Sequence, residues 1–307
     1  MTVRTSRRRV PTRLDPGTIG ATLDGAALLL RRASSAPQRD AELLLSFTLK
    51  QPREYLLAHR RDLLPPPRAR SFEELIRRRG EGIPLPYLTR TQEFFGQSFT
   101  VTPAVMIPRP ETEALVEEAL RLVSDTTAAD MSIADIGTGS GAIAVSIALN
   151  HPRTHVVAAD ISPAALDVAQ RNARRHGVLR RMTFLESDLL QELPPDRPLT
   201  VLVANLPYVS SAELANAGDA PDTRGLLFEP PRALDGGPDG LFILRRLLRQ
   251  LTHSPAQRHL THLCLEHHPS QRRRLLERAH AALPTFSPNE VTPWVTSWTR
   301  HQKDRAH

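Results

Sequence analysis

Between Gly17 and Arg79, apolar residues recur at three- and four-residue spacing in TLDGAALLLRRA, RDAELLLSFTL, PREYLLAHR and SFEELIRRRGEG. Each run is bounded by proline, glycine or a polar cap, the signature of short amphipathic helices. Pro65, Pro66 and Pro67 are expected to hold the third and fourth helices apart. Helices this short bury their apolar faces against one another, which predicts a small helical domain over 18–90 behind a basic flexible tail at 1–17. From Leu85 to Ile107 the period shortens, and β-branched and aromatic residues around Gly96 predict a β-hairpin, read as a linker over 91–109. Beyond it strands and helices alternate. A helix at 111–123 leads to SIADI, GAIAVSIALN, HVVAAD, SPAALDVAQRNARRHG, MTFLES and TVLVAN. GLFILRRLLRQL, THLCLE, PSQRRRLLERAHAAL and a weak β signal in VTPWVTSW follow. The alternation predicts an α/β fold over 110–307, with a mostly parallel sheet covered by helices on both faces.

Composition changes little of this. The 307 residues, 40% of them hydrophobic, suffice for one large and one small core. No run of about 18 apolar residues occurs, so no membrane-spanning helix is expected. Cys264, the single cysteine, has apolar neighbours and reads as a core residue in a reducing, cytoplasmic setting. The net charge of +7 invites an anionic partner, but lysine occurs only at Lys50 and Lys303. An arginine skew of this kind also follows from nucleotide composition. The opening MTVRTSRRRVPTR lacks acidic residues and imitates a targeting peptide; a frayed basic tail is the preferred reading. Adjacent His267 and His268 would point opposite ways on a strand, and no metal site is predicted.

The chemistry is expected beyond the carboxyl ends of the strands, where open α/β sheets bind ligands. The first strand ends in DIGTGSG, with Asp135 followed by Gly137, Thr138, Gly139, Ser140 and Gly141. Its glycines allow a tight turn and close approach to a ligand. The spacing G-x-G-x-G differs from the G-x-G-x-x-G of dinucleotide folds. Asp160 ends the second strand, where a carboxylate accepts hydrogen bonds from ribose hydroxyls. Asp188 and Leu189 follow the third, an acceptor for an exocyclic amine beside an apolar wall. Together they describe an adenosine pocket without a phosphate cradle, which suits S-adenosylmethionine better than the runner-up, NAD.

The fourth strand delivers Asn205, Leu206, Pro207 and Tyr208 to the same edge. The Asn205 side-chain oxygen and the next backbone carbonyl can accept both N–H bonds of a planar amine, Pro207 fixes their aim, and Tyr208 offers a flat face. Such a clamp raises the nucleophilicity of a delocalised nitrogen, because charge developing on it strengthens both bonds.

DAELLL at 40–45, PLPYLT at 84–89, EFFGQSFTVTPAVMIPRPETE at 93–113, DIGTGSGAIA, NLPY and FEPPRALDGGPDGL at 228–241 together resemble the protein N5-glutamine methyltransferases that act on peptide-chain release factors. The resemblance implies a Rossmann-like class I methyltransferase core, a helical substrate-recognition domain, and methylation of the glutamine in a Gly-Gly-Gln loop. It implies that Gly137–Gly141, Asp160 and Asp188–Leu189 hold the cofactor, with Asp135 and Asn205 expected as further cofactor contacts, and that Asn205, Leu206, Pro207 and Tyr208 hold the glutamine amide. Arg109 and Glu111 would sit at the pocket mouth, with Glu229 a further wall of the substrate site. Where the family usually has Asn-Pro-Pro-Tyr this chain has Leu206, expected to contribute only its carbonyl. A monomeric enzyme with a protein substrate is the expectation. A ribosomal RNA adenine N6-methyltransferase, which also carries Asn-Leu-Pro-Tyr, and a ribosomal-protein glutamine methyltransferase are the alternatives.

Overall fold

The computed structural model describes residues 17–124, 132–194, 199–218, 223–254 and 258–301; the expected tail falls almost entirely outside them. The chain divides into two compact units, one of residues up to Arg90 with Ala217–Phe228, the other of Thr91–Asn216 with Glu229 onward.

The first unit carries α1 (Ile19–Leu30), α2 (Pro37–Leu49), α3 (Arg53–Ala58), α4 (Pro66–Gly80) and α5 (Leu85–Thr89). Thr18 caps α1 by accepting from the Ala21 amide, which satisfies one of the otherwise unpaired first-turn donors. The three prolines stand at the break between α3 and α4, as expected: Pro65 precedes α4, and Pro66 and Pro67 open it, since a first-turn residue has no intrahelical N–H bond to lose. Leu23, Leu30, Leu44, Leu45, Leu56 and Phe72 are fully buried in one cluster, as the three- and four-residue spacing requires. Arg79 pairs with Asp40 at 2.7 Å, tying the last turn of α4 to the first turn of α2.

The second unit opens with the hairpin β1 (Thr91–Phe94) and β2 (Gln97–Thr100), whose turn residues Phe95 and Gly96 both have positive φ, the backbone a two-residue hairpin turn demands. The predicted extended run continues to Ile107, but no strand forms after Thr100. Then follow α6 (Glu113–Ser124), β3 (Ser132–Ile136), α7 (Ala142–Asn150), β4 (His155–Asp160), α8 (Pro163–Arg175), β5 (Met182–Glu186), β6 (Val201–Ala204) and α9 (Ser211–Ala215). The unit ends with α10 (Phe242–His253), β7 (His262–Glu266), α11 (Arg272–Ala282), β8 (Phe286–Glu290) and β9 (Val295–Arg300).

The sheet order is β5-β4-β3-β6-β7-β9-β8. The first five strands are parallel and β9 inserts antiparallel between β7 and β8. Alternate residues serve opposite faces. Ile133, Val156, Val201 and Cys264 join the core beneath α6 and α7, while Ala134, Val157, Leu202 and Leu263 join the one beneath α10 and α11. Burial pushes the Cys264 thiol up, which leaves it an inert core residue. The edge strand β8 escaped the sequence reading because FSPNE has no alternation and holds Pro288, which the sheet tolerates at an edge. Buried Asn172 of α8 bonds the Thr100 amide and carbonyl at 2.8 and 2.9 Å and the Ser140 carbonyl at 2.8 Å. One side chain thereby joins the hairpin, a helix and the glycine loop. Among the described residues no helix is long and apolar enough to cross a membrane.

Candidate active site

The chain runs from β3 outward through β4 to β5, then returns to place β6 and β7 on the other side of β3. Connections diverge at such a reversal and leave a crevice at the carboxyl ends of the strands. A cavity of about 970 Å3 occupies it. Four consecutive strand ends supply its walls: Gly137–Ser140 after β3, Asp160 and Ile161 after β4, Ser187–Leu189 after β5, and Asn205–Pro207 after β6. Val105, Met106 and Pro108, Thr112, Pro230 and Arg246 of α10 are among the other residues that line it.

The loop after β3 is held from beneath. Asp135 is wholly buried, and its Oδ2 accepts from Thr138 Oγ1 at 2.7 Å and from the Ala144 amide at 3.2 Å. Asp135 was predicted to touch the cofactor; it does not line the cavity but organises the turn that does. The reason is parity: it faces α7, while its neighbour Ile136 reaches the cavity. Burial, with a smaller push from Asp160, raises its carboxyl to about 7, and Oδ1 has no hydrogen bond. Gly141 likewise serves packing. Its φ is +78°, and a Cβ there would lie 3.0 Å from that of Ala169 on α8.

The Asp135 shift has a measurable consequence. The native carboxyl binds its proton more tightly than the unfolded one, whose ordinary value is 3.8. Its contribution is therefore favourable at low pH and is lost as pH rises from about 4 to about 7. Asp135→Asn is expected to flatten this part of the stability–pH curve, read as thermal midpoints between about pH 4 and about pH 7.

Asp160 faces the cavity with both oxygens engaged by backbone, Oδ2 by the Gly139 amide and Oδ1 by that of Ser162, each at 2.9 Å. A carboxylate has about four lone-pair sites, so each oxygen keeps capacity for a ligand hydroxyl. Burial raises its pKa despite those donors. Asp188 also lines the cavity and pairs with Arg246 at 2.6 Å. Leu189 beside it is buried with φ +59°, a strained backbone that sets its side chain in the wall.

At the opposite wall, Asn205 Nδ2 donates to Thr112 Oγ1 at 3.0 Å. Leu206 does more than lend a carbonyl. Its side chain lies so close to Gly137 that a Cβ there would come within 2.9 Å of Cδ2. Tyr208 stands outside the cavity lining; its hydroxyl donates to Glu266 Oε1 at 3.2 Å, and its ring lies 6.4 Å from that of Trp294. Burial, then Glu266, pushes the phenol pKa up, so Tyr208 keeps its proton as a donor. Arg109, Glu111 and Glu229, expected at the mouth or wall, also do not line the cavity. Arg109 and buried Glu229 pair with each other, and Glu229 Oε2 accepts from the Ile107 amide at 3.0 Å. This pair anchors the segment that carries Val105, Met106 and Pro108.

Several contributors went unread in the sequence. Gly236 and Gly240 lie against the clamp backbone. A Cβ on Gly236 would sit 2.7 Å from the Pro207 carbonyl, and one on Gly240 would overlap the Tyr208 carbonyl and Gln271 Nε2. Gln271 donates to the Tyr208 carbonyl at 2.8 Å. Of the run 109–113 expected at the pocket mouth, Thr112 is the member that lines the cavity; Arg246 hid within an amphipathic helix. Glu266, at the end of β7, obeys the same strand-end rule that located Asp160. His267 is buried with Nε2 against Thr296 Oγ1 at 2.8 Å; His268 Nδ1 accepts from the Ser270 amide at 3.3 Å. Both are occupied structurally.

Comparisons with known proteins identify the family. Residues 21–89 match the family model described as PrmC N-terminal domain, and 113–218 match Methyltransferase small domain. A release factor glutamine methyltransferase of Moorella thermoacetica is 48% identical over 69% of this chain and 72% of its own. One from Koribacter versatilis is 41% identical over 76% and 81%. Among solved structures, the human METTL16 catalytic domain in complex with the MAT2A 3'UTR hairpin 6 superposes with a TM-score of 0.53 at 15% identity. That match covers 71% of this chain and 81% of that one, and at such identity it speaks for the shared fold alone. With identity this high across more than two thirds of its length, the chain belongs to the release factor glutamine methyltransferase family.

Proposed function

We propose that this protein transfers a methyl group from S-adenosylmethionine to the side-chain amide nitrogen of the glutamine in the Gly-Gly-Gln loop of a peptide-chain release factor. The observation that carries the reading is the placement of Asn205 in the wall of the cavity that also presents Asp160 and Asp188. The residues fit the cofactor. Gly137–Ser140 would border its amino-acid part, Asp160 would accept from its ribose, and Asp188 and Leu189 would bracket its adenine. When bound, S-adenosylmethionine supplies a methyl group already activated on a sulfonium. The protein's task is then to hold the acceptor nitrogen in line. Asn205 Oδ1 and the Leu206 carbonyl accept its two hydrogens, and these bonds strengthen as the nitrogen gains positive charge. No residue of the clamp must give or take a proton before transfer.

The helical domain over 18–90 would hold the release factor, and the protein would act as a cytoplasmic monomer. Incubation with labelled S-adenosylmethionine and a purified release factor is expected to place label on one glutamine, mapped by mass spectrometry. Label on adenine in ribosomal RNA, with none on the factor, would overturn this reading.

A further inference from the structure

Leu189 lines the cavity with a left-handed backbone, φ +59°. A leucine holds that conformation only where its surroundings impose it. The group that imposes it belongs to α10, 60 positions along the chain from Leu190. Gln250 Oε1 accepts from the Leu190 amide at 2.8 Å, and its Nε2 donates to the Asp188 carbonyl at 3.3 Å. The first bond fixes the peptide plane after Leu189 and the second fixes the plane before it. One side chain therefore sets both soft dihedral angles of that residue. The orientation of the Gln250 amide is unambiguous, because a backbone N–H only donates and a backbone carbonyl only accepts. Ser187 supports the same turn from within. Its Oγ donates to the Leu189 carbonyl at 2.9 Å and accepts from the Glu192 amide at 3.1 Å.

Ile243, Arg246 and Gln250 recur at the spacing of one helix face, beside the buried stripe of Leu244, Leu247, Leu248 and Leu251. Ile243 and Arg246 line the cavity. Arg246 donates to Asp188 Oδ2 at 2.6 Å, so α10 grips Asp188 by its carboxylate and by its carbonyl at once. The carboxylate keeps acceptor capacity beyond that one bond. We propose that Gln250 is a positioning residue for recognition of the cofactor's base: by fixing the turn at Leu189 it holds the Asp188 carboxylate, an acceptor for an exocyclic amine, at a set distance from the apolar Leu189 wall. This rests on the functional reading above in one respect, that Asp188 and Leu189 bracket an adenine.

Gln250→Leu keeps the size of the side chain and its helix propensity but removes both bonds. In calorimetric titration it is expected to weaken binding of S-adenosylhomocysteine, the cofactor without its methyl group, about tenfold, the worth of one hydrogen bond. The analogue with hydrogen in place of the 6-amino group offers Asp188 no N–H. Its affinity, and kcat at saturating cofactor, are expected to change less than about twofold. A general loosening of the fold would weaken both ligands alike. Gln250→Glu gives a second readout. Its carboxylate sets an oxygen against the Asp188 carbonyl, whereas the protonated acid donates there as the amide does. Its affinity for S-adenosylhomocysteine, relative to wild type at the same pH, is expected to recover as pH falls from about 8 to about 5. Unchanged affinity in Gln250→Leu, equal losses for the two ligands, a fall in kcat, or a Gln250→Glu ratio that ignores pH each overturns the proposal. A wild type that binds the two ligands equally would instead overturn the adenine placement on which the proposal rests.

Discussion

Asn205→Ala is expected to lower kcat by about 10²- to 10³-fold, the usual cost of removing one group that stabilises developing charge, with little change in cofactor affinity. Asn205 follows β6, which lies on the other side of β3 from the strands that carry Asp160 and Asp188, so its loss is expected to leave those contacts in place. Substitution also deprives Thr112 Oγ1 of its donor, which costs about 1–3 kcal/mol of stability. Turnover should therefore be measured well below the thermal midpoint, beside calorimetric binding of S-adenosylmethionine. Equal losses in binding and turnover would make Asn205 a cofactor ligand rather than the acceptor's partner.

Gly240→Ala should damage stability and catalysis together. The residue has φ +70°, and a methyl group there would collide with the Tyr208 carbonyl and with Gln271 Nε2, which itself donates to that carbonyl. Neither obstacle can withdraw freely: one is backbone, and the other is buried and bonded. Overpacking and an unfavourable backbone conformation together are expected to cost about 3 kcal/mol, read as a shifted denaturant midpoint. The clamp would move by a fraction of an ångström or more, and misplacement of about 1 Å lowers rates about 10²-fold. Gly96→Ala is the control, since a Cβ there meets nothing within 4 Å and its φ is also positive. It should show a stability cost without the catalytic one.

Much of the architecture was legible because the relevant signals are local. Period 3.6 in the N-terminal helices and alternation of strand and helix beyond Thr91 need no knowledge of distant contacts. The strand-end rule found Asp160, Asp188 and Asn205 without a structure, for the same reason. What stayed hidden depends on partners remote in sequence. That Asp135 would face α7 rather than the cavity follows from strand parity, which one residue of register decides. Arg109 and Glu229 stand 120 positions apart, and nothing in either local run announces their pairing. Glu266 ends β7 as Asp160 ends β4, but its partner Tyr208 lies 58 positions away and nothing in THLCLE announces it. Gly236 and Gly240 were part of the recognised pattern, yet their purpose appears only when the Pro207 and Tyr208 carbonyls are seen against them.

The contact between Leu206 and Gly137 has a thermodynamic consequence. The loop that borders one ligand and the clamp that holds the other share a van der Waals boundary, so each has only the room its neighbour leaves. Whatever free energy the first ligand spends in steadying that boundary is spared the second. Linkage makes the favour mutual: the factor by which cofactor sharpens affinity for the protein substrate equals the factor by which that substrate sharpens affinity for the cofactor.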